Sequence, residues 1–184
     1  MPLHVALLRG VNVGKGNRVP MAELRALLED MGCSRVRTLL NSGNAVFWSP
    51  GRSAPTLAGR IHAALLERLG VDVRVMVKSG SDMAAIAAGN TLAAAATDPS
   101  RMLVAFAASA PDLAGLAAIR PLVRAPERFV IGRHAAYLWC VNGILESKAG
   151  AALLGKPGRA VTTRNWATVG KLVALLGDDE GAGA

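Results

Sequence analysis

Aromatic side chains are scarce: one tyrosine, three phenylalanines and three tryptophans, 4% of 184 residues. An RNA-binding sheet that stacks bases on paired aromatics is poorly served by that supply. Cysteine is limited to Cys33 and Cys140, far apart in the chain. Two such thiols make neither a disulfide framework nor a metal cluster, and both are expected to be reduced and packed. His4, His62 and His134 stand alone without metal-ligand spacing, so no metal is expected. No Gly-x-Ser-x-Gly elbow is present. No apolar run reaches the roughly 18 residues of a membrane span. The opening stretch Leu3 to Leu8 is short, has no Lys or Arg ahead of it and runs into Arg9, unlike a signal peptide. A cytoplasmic protein with no membrane partner is the expectation.

Acid is also in short supply. Thirteen Asp and Glu face 21 Lys and Arg, for a net charge of +8. That balance favours anionic partners such as nucleotides, phosphorylated metabolites or nucleic acid. Arginine far outnumbers lysine and alanine is abundant, as in chains from compositionally biased genomes. Where the charge falls is therefore more informative than its sum.

What is present orders itself readily. Leu3 to Leu8 reads as a buried strand. Pro20 suits a first helical turn, and Met21, Leu24, Leu28 and Met31 follow at helical spacing up to Gly32. Arg35 to Leu40 and Ala45 to Trp48 are strands joined by the turn Asn41-Ser42-Gly43-Asn44. Leu57, Ile61, Leu65 and Leu69 mark a second helix closed by Gly70, and Val71 to Val77 alternates as a half-buried strand. Ser81 or Asp82 can cap a short alanine-rich helix to Ala88. The order βαββαβ is the ferredoxin-like plan, with one sheet face under two helices.

A polar and alanine-rich stretch, Gly89 to Ser100, marks a boundary. Beyond it the order repeats. Met102 to Ala108 reads as a strand, Pro111 to Ile119 as a helix, and Arg128 to Ile131 and Tyr137 to Val141 as strands. Ser147 to Leu154 follows as a helix and Ala160 to Thr163 as a strand. Asn165 then caps a last helix with Trp166, Val169, Leu172, Val173 and Leu176 on its apolar face. Gly170 inside that helix costs about 1 kcal/mol relative to Ala and has no firm account in the sequence, close packing of another backbone being one option. The fold class is α+β, two ferredoxin-like (βαββαβ) subdomains with additional helices. The first spans residues 1–90 and the second 98–177, with 178–184 a disordered acidic and Gly/Ala-rich tail.

Two segments concentrate cations without acids. The first is the loop from Arg9 to Arg18, which holds Gly10, Asn12, Gly14, Lys15, Gly16 and Asn17. It is not a P-loop. Three residues rather than four separate Gly10 from Gly14, and Gly16 stands where Ser or Thr belongs. The dinucleotide fingerprint fails too, with Val19 in place of its third glycine. Glycines still let backbone N–H groups converge on an anion, and Arg9, Lys15 and Arg18 add formal charge. A plain strand-to-helix turn needs the same glycines. The second segment is Ser147-Lys148 with Thr162-Thr163-Arg164-Asn165-Trp166. No Asp or Glu lies between Glu146 and Asp178, while Lys148, Lys156, Arg159, Arg164 and Lys171 do. Arginine's planar fork suits phosphate, although Asn165 also reads as a helix cap and Trp166 as core. A general base would have to be supplied by folding, with Glu23 and Glu146 nearest in sequence.

Several stretches together resemble a known family. They are Ala6-Leu7-Leu8-Arg9-Gly10-Val11-Asn12-Val13-Gly14, Val19-Pro20-Met21-Ala22-Glu23-Leu24, Ser42-Gly43-Asn44-Ala45-Val46-Phe47, Gly143 to Lys148 and Thr162-Thr163-Arg164-Asn165-Trp166. Their order and spacing are similar to the domain-of-unknown-function family 1697 of small bacterial proteins, over nearly the whole chain. The chain departs from it at Glu146, where the family usually has Arg, and at Ala167, where it usually has Asn. The resemblance implies an α+β, ferredoxin-like fold and carries no accepted activity, substrate or cofactor.

The expected function is binding of a small phosphate-bearing, nucleotide-like ligand in a basic pocket. Arg9, Asn12, Lys15, Asn17, Ser42, Asn44, Lys148, Thr163, Arg164 and Asn165 would contribute. This requires the two cationic segments to share one pocket. The alternatives are RNA or DNA binding through a basic face, and a protein interaction module without a small ligand. Catalysis of phosphoryl or nucleotidyl transfer would need a metal and clustered carboxylates that the sequence does not offer.

Overall fold

The computed structural model describes residues 2–181. The chain divides into two compact units. One comprises Met1–Met83 with Ala174–Ala184, the other Ala84–Val173. The division falls ahead of the Gly89 to Ser100 stretch.

The first unit contains β1 (Leu3–Leu8), α1 (Met21–Asp30), β2 (Ser34–Leu39), β3 (Asn44–Trp48), α2 (Ala54–Leu69) and β4 (Val75–Ser79). Its sheet has the order β2-β3-β1-β4, with every neighbouring pair antiparallel. Helix α1 follows Pro20 and gives way to Gly32 at φ 86°. Helix α2 is capped by the Ser53 side chain, carries a proline in its first turn and ends on left-handed Gly70. Leu24 and Leu28 from α1, and Leu57, Ile61 and Leu65 from α2, pack against Ala6, Leu8, Ala45 and Phe47. Burial of a leucine-sized side chain contributes about 1.5–3 kcal/mol, so this layer dominates the unit's stability.

Strand β4 starts at Val75, not at Val71 as the alternation predicts. Val71 and Val73 are buried. They have no strand opposite, because β1 pairs only from Leu8 opposite Val75 and then turns away at Gly10. Burial without a ladder partner gives an extended connection.

Helix α3 (Gly80–Ala88) spans the division between the units. The second unit then contains β5 (Met102–Ala107), α4 (Ala110–Gly115), β6 (Arg128–Ile131), β7 (Ala136–Trp139), α5 (Lys148–Leu154) and β8 (Val161–Asn165). Its sheet runs β6-β7-β5-β8, the same antiparallel order as the first. Both sheets are thus ferredoxin-like, as the element order predicts. Helix α4 is α-helical only to Gly115 and tightens into a 3-10 helix over Leu116–Leu122, where Pro121 lacks an N–H.

Helix α6 (Trp166–Gly181) begins after Asn165 and buries Val169, Leu172 and Leu176. Trp166 is only half-buried, so it is less of a core residue than its phase predicts. Gly170 is solvent-facing, with nothing close to where a Cβ would stand, so close backbone packing does not account for it. The helix continues to Gly181. Residues 178–181, expected in the disordered tail, are therefore helical, and 182–184 lie outside the described residues. No helix among the described residues is long and apolar enough to cross a membrane.

A Cβ on Gly43, at φ 78°, would stand 2.7 Å from both Leu8 Cβ and Val11 Cγ2. Left-handed strain and overpacking together set the cost of Gly43→Ala at about 2–4 kcal/mol in urea unfolding. Gly51→Ala, with φ 56° but open space around it, is expected to cost only about 1–2 kcal/mol. In the second unit, the buried Tyr137 hydroxyl donates to the Ile86 carbonyl at 2.6 Å, and burial pushes its pKa up to about 12. The unfolded state loses that proton near 10, so stability is complete below pH 10 and falls as pH rises to 12. The loss amounts to about 2–3 kcal/mol. Burial raises the Cys140 thiol to about 11 and adds a similar fall beginning near 9. Tyr137→Phe is expected to flatten the upper part of this profile in unfolding measured from pH 8 to 12.

Candidate functional site

Strand β1 gives its last sheet-like bond at Arg9, whose N–H donates to the Arg74 carbonyl at 2.9 Å. The chain then reverses through four left-handed residues: Gly10, Asn12, Gly14 and Asn17. The glycines adopt φ > 0 freely, and asparagine is among the few other residues that tolerate it. Asn12 does more than tolerate it. Its Oδ1 accepts from the Val19 N–H at 2.9 Å, and its Nδ2 donates to the Val19 and Asn41 carbonyls, each at 2.8 Å. Its backbone N–H closes the loop on the Asn17 carbonyl at 3.1 Å. One carboxamide thus ties both ends of the loop together and fastens them to the β2–β3 turn.

That turn lies against the loop. Leu8 N–H donates to the Gly43 carbonyl at 2.9 Å. The buried Asn44 donates through Nδ2 to the Leu39 carbonyl at 2.8 Å and the Ser42 hydroxyl at 2.9 Å. Asn17 Nδ2 reaches the Gly10 carbonyl at 3.4 Å. The asparagines predicted as ligand contacts therefore act as braces for the backbone. Lys15, Asn17, Arg18 and Ser42 are exposed around them, and Arg9 is half-buried. Burial first, and the Arg74 guanidinium second, hold the Arg9 pKa below its ordinary value. Arg9, Asn12, Lys15, Asn17, Ser42 and Asn44 are thus brought to one corner of the first unit.

In the second unit the Ser147 hydroxyl caps α5 by accepting from Gly150 N–H at 2.9 Å, leaving Lys148 exposed. Thr162 and Arg164 lie opposite Phe106 and Val104 on the sheet face away from the α4 and α5 core. The Arg164 side chain is buried, its Nη1 donates to the Thr163 carbonyl at 2.7 Å, and burial lowers its pKa to about 10. Asn165 Oδ1 accepts from Thr168 N–H at 2.9 Å, the helix cap that its position predicts. Of the residues proposed here, Lys148 offers an exposed charge and Thr163 is half-exposed.

A hollow of about 450 Å³ in the first unit was not anticipated. It is lined by Ala58, Gly59, His62, Asp72, Arg74 and Val75. His62 Nδ1 lies 2.8 Å from the Val73 carbonyl and its Nε2 3.6 Å from Asp72 Oδ1. Arg74, which lowers the Arg9 pKa, belongs to this lining. Two signals were available in the sequence. Asp72 and Arg74 share one face of the alternating run, and Gly59 sits inside a helix, where it costs about 1 kcal/mol relative to Ala.

The brace at Asn12 has a direct test. Asn12→Asp keeps the acceptor for Val19 N–H but sets a second carboxylate oxygen against two carbonyls. Stability is expected to fall by about 2–3 kcal/mol in denaturant unfolding, with the Val19 amide losing protection from hydrogen exchange. A loss below about 0.5 kcal/mol, inside the range of an ordinary surface substitution, means that other contacts hold the loop.

The first 137 residues match the family described as "Protein of unknown function (DUF1697)". No curated protein matches the chain. Among solved structures it is similar to the conserved bacterial protein SP0830 from Streptococcus pneumoniae. The identity is 26% and the TM-score 0.78, over 95% of this chain and 98% of that one. With the first ferredoxin-like sheet and the glycine loop inside the matched region, which covers well over half of the chain, the chain belongs to the DUF1697 family.

Proposed function

We propose that the protein binds a small phosphate-bearing ligand at the Arg9 corner of the first unit. One observation carries this reading: the N–H of half-buried Arg9 donates to the Arg74 carbonyl at 2.9 Å, so two arginines leave adjacent strand ends side by side. A dianion received beside two guanidinium groups is attracted to both. Guanidinium forks are the geometry phosphate oxygens accept best. Lys15 and Arg18, exposed on the braced loop, extend the positive field toward solvent. Reading of RNA across an open sheet is less well supported, since β1, β5 and β7 are buried along their whole length.

The test is thermal unfolding of the full chain with inorganic phosphate, pyrophosphate and nucleoside monophosphates. A ligand at about 100 times its Kd adds about 2.7 kcal/mol. For a chain of this size that raises Tm by about 5–10 °C. Arg9→Gln and Arg74→Ala are expected to remove most of the shift, and about 0.5 M salt to weaken it. A flat response across the panel, or an equal shift in the Arg9→Gln/Arg74→Ala double variant, overturns the proposal.

A further inference from the structure

We infer that this ligand is a phosphorylated sugar, free or as the ribose of a nucleotide, whose hydroxyls rest on Asp72 and His62 in the hollow beside Arg74. The inference rests on the phosphate reading and extends it from one end of the ligand to the rest. Arg74 belongs to both ends of the site. Its carbonyl accepts from the Arg9 N–H at 2.9 Å and it also lines the hollow, so a phosphate held there places its ester substituent next to the hollow.

The lining divides by chemistry. Ala58 and Gly59 from α2, with Val75 from β4, give a low apolar surface of the kind the C–H face of a sugar covers. A Cβ at Gly59 would meet nothing within 4 Å, and the position is exposed, so the space above the helix is open. Asp72, also exposed, offers a carboxylate, an acceptor with two oxygens. A vicinal diol presents two O–H donors to such a group, the pairing that carboxylates make with ribose in dinucleotide-binding folds. His62 adds a second polar group at this end. The Val73 carbonyl can only accept, so the 2.8 Å contact places the proton on Nδ1. Nε2 then lies on the Asp72 side, 3.6 Å from Oδ1.

The site therefore has donors at one end and acceptors at the other. A sugar phosphate has the opposite arrangement, with anionic oxygens at one end and hydroxyl donors at the other. A body bearing a carboxylate would face Asp72 and be repelled. A flat aromatic body without hydroxyls would leave the Asp72 carboxylate unmatched. The hollow, about 450 Å³, falls within the usual range for small-ligand sites.

Calorimetric titration of the full chain with inorganic phosphate and with D-ribose 5-phosphate separates this inference from the reading beneath it. Ribose 5-phosphate is expected to bind about tenfold tighter, the worth of one or two hydrogen bonds. Asp72→Ala and Gly59→Leu, the latter filling open space on an exposed helix face, are expected to abolish the preference. Inorganic phosphate should bind both variants as tightly as the unmodified protein, or more tightly once the carboxylate is gone. Equal affinity for the two ligands, or a preference that survives in both variants, overturns the sugar inference alone. No binding of either ligand overturns it together with the phosphate reading.

Discussion

The corner around Arg9 depends on a single carboxamide. A loop of ten residues with three glycines has many conformations, and fixing each costs backbone entropy. Asn12 offsets part of that cost from one side chain, accepting from Val19 and donating to Val19 and Asn41. Because Val19 precedes α1 and Asn41 follows β2, the same group sets where the helix enters and where the hairpin turns. The left-handed backbone at Asn12 places the side chain to do this. Glycine could take the conformation but could not make the bonds.

With the loop held, charge can be kept where it is otherwise unfavourable. Arg9 is half-buried and shares its surroundings with Arg74. On a floppy loop the two side chains would separate into solvent. Here the backbone bond from Arg9 to Arg74 keeps their origins adjacent. In the second unit burial alone accounts for the lowered Arg164 pKa, and the guanidinium satisfies a carbonyl of its own strand. The two arginines look alike in sequence and differ in what surrounds them.

This difference marks the limit of what the chain declares before folding. Strand alternation and the i, i+4 spacing of Leu57, Ile61 and Leu65 are local, and they locate the elements and the ferredoxin-like order well. The caps at Ser53, Ser147 and Asn165 are local too. The Asn12–Asn41 bond spans 29 residues, so nothing near Asn12 distinguishes a brace from a ligand contact. Arg164 reads as a surface cation because its neighbours Thr162, Thr163 and Asn165 are polar, yet Thr162 and Arg164 both face a buried side of the sheet. His62 looks isolated until α2 and the connection before β4 bring it beside Asp72. The early end of strand pairing at Val75 is likewise set by where β1 turns away.

The strand order has a consequence for how the protein is made. In each sheet the strand synthesised first occupies an inner place, with one edge against the third strand and the other against the fourth. Leu8 meets Val75, and Leu103 meets Asn165. As the chain leaves the ribosome, β1 therefore waits with an open edge until β4 has emerged, and β5 waits in the same way for β8. Such long-range closure slows folding relative to a meander of neighbouring strands. During the wait an apolar strand with unsatisfied N–H and C=O groups is exposed to other chains. Early termination inside either unit thus yields a sheet lacking one flank, a form prone to aggregate.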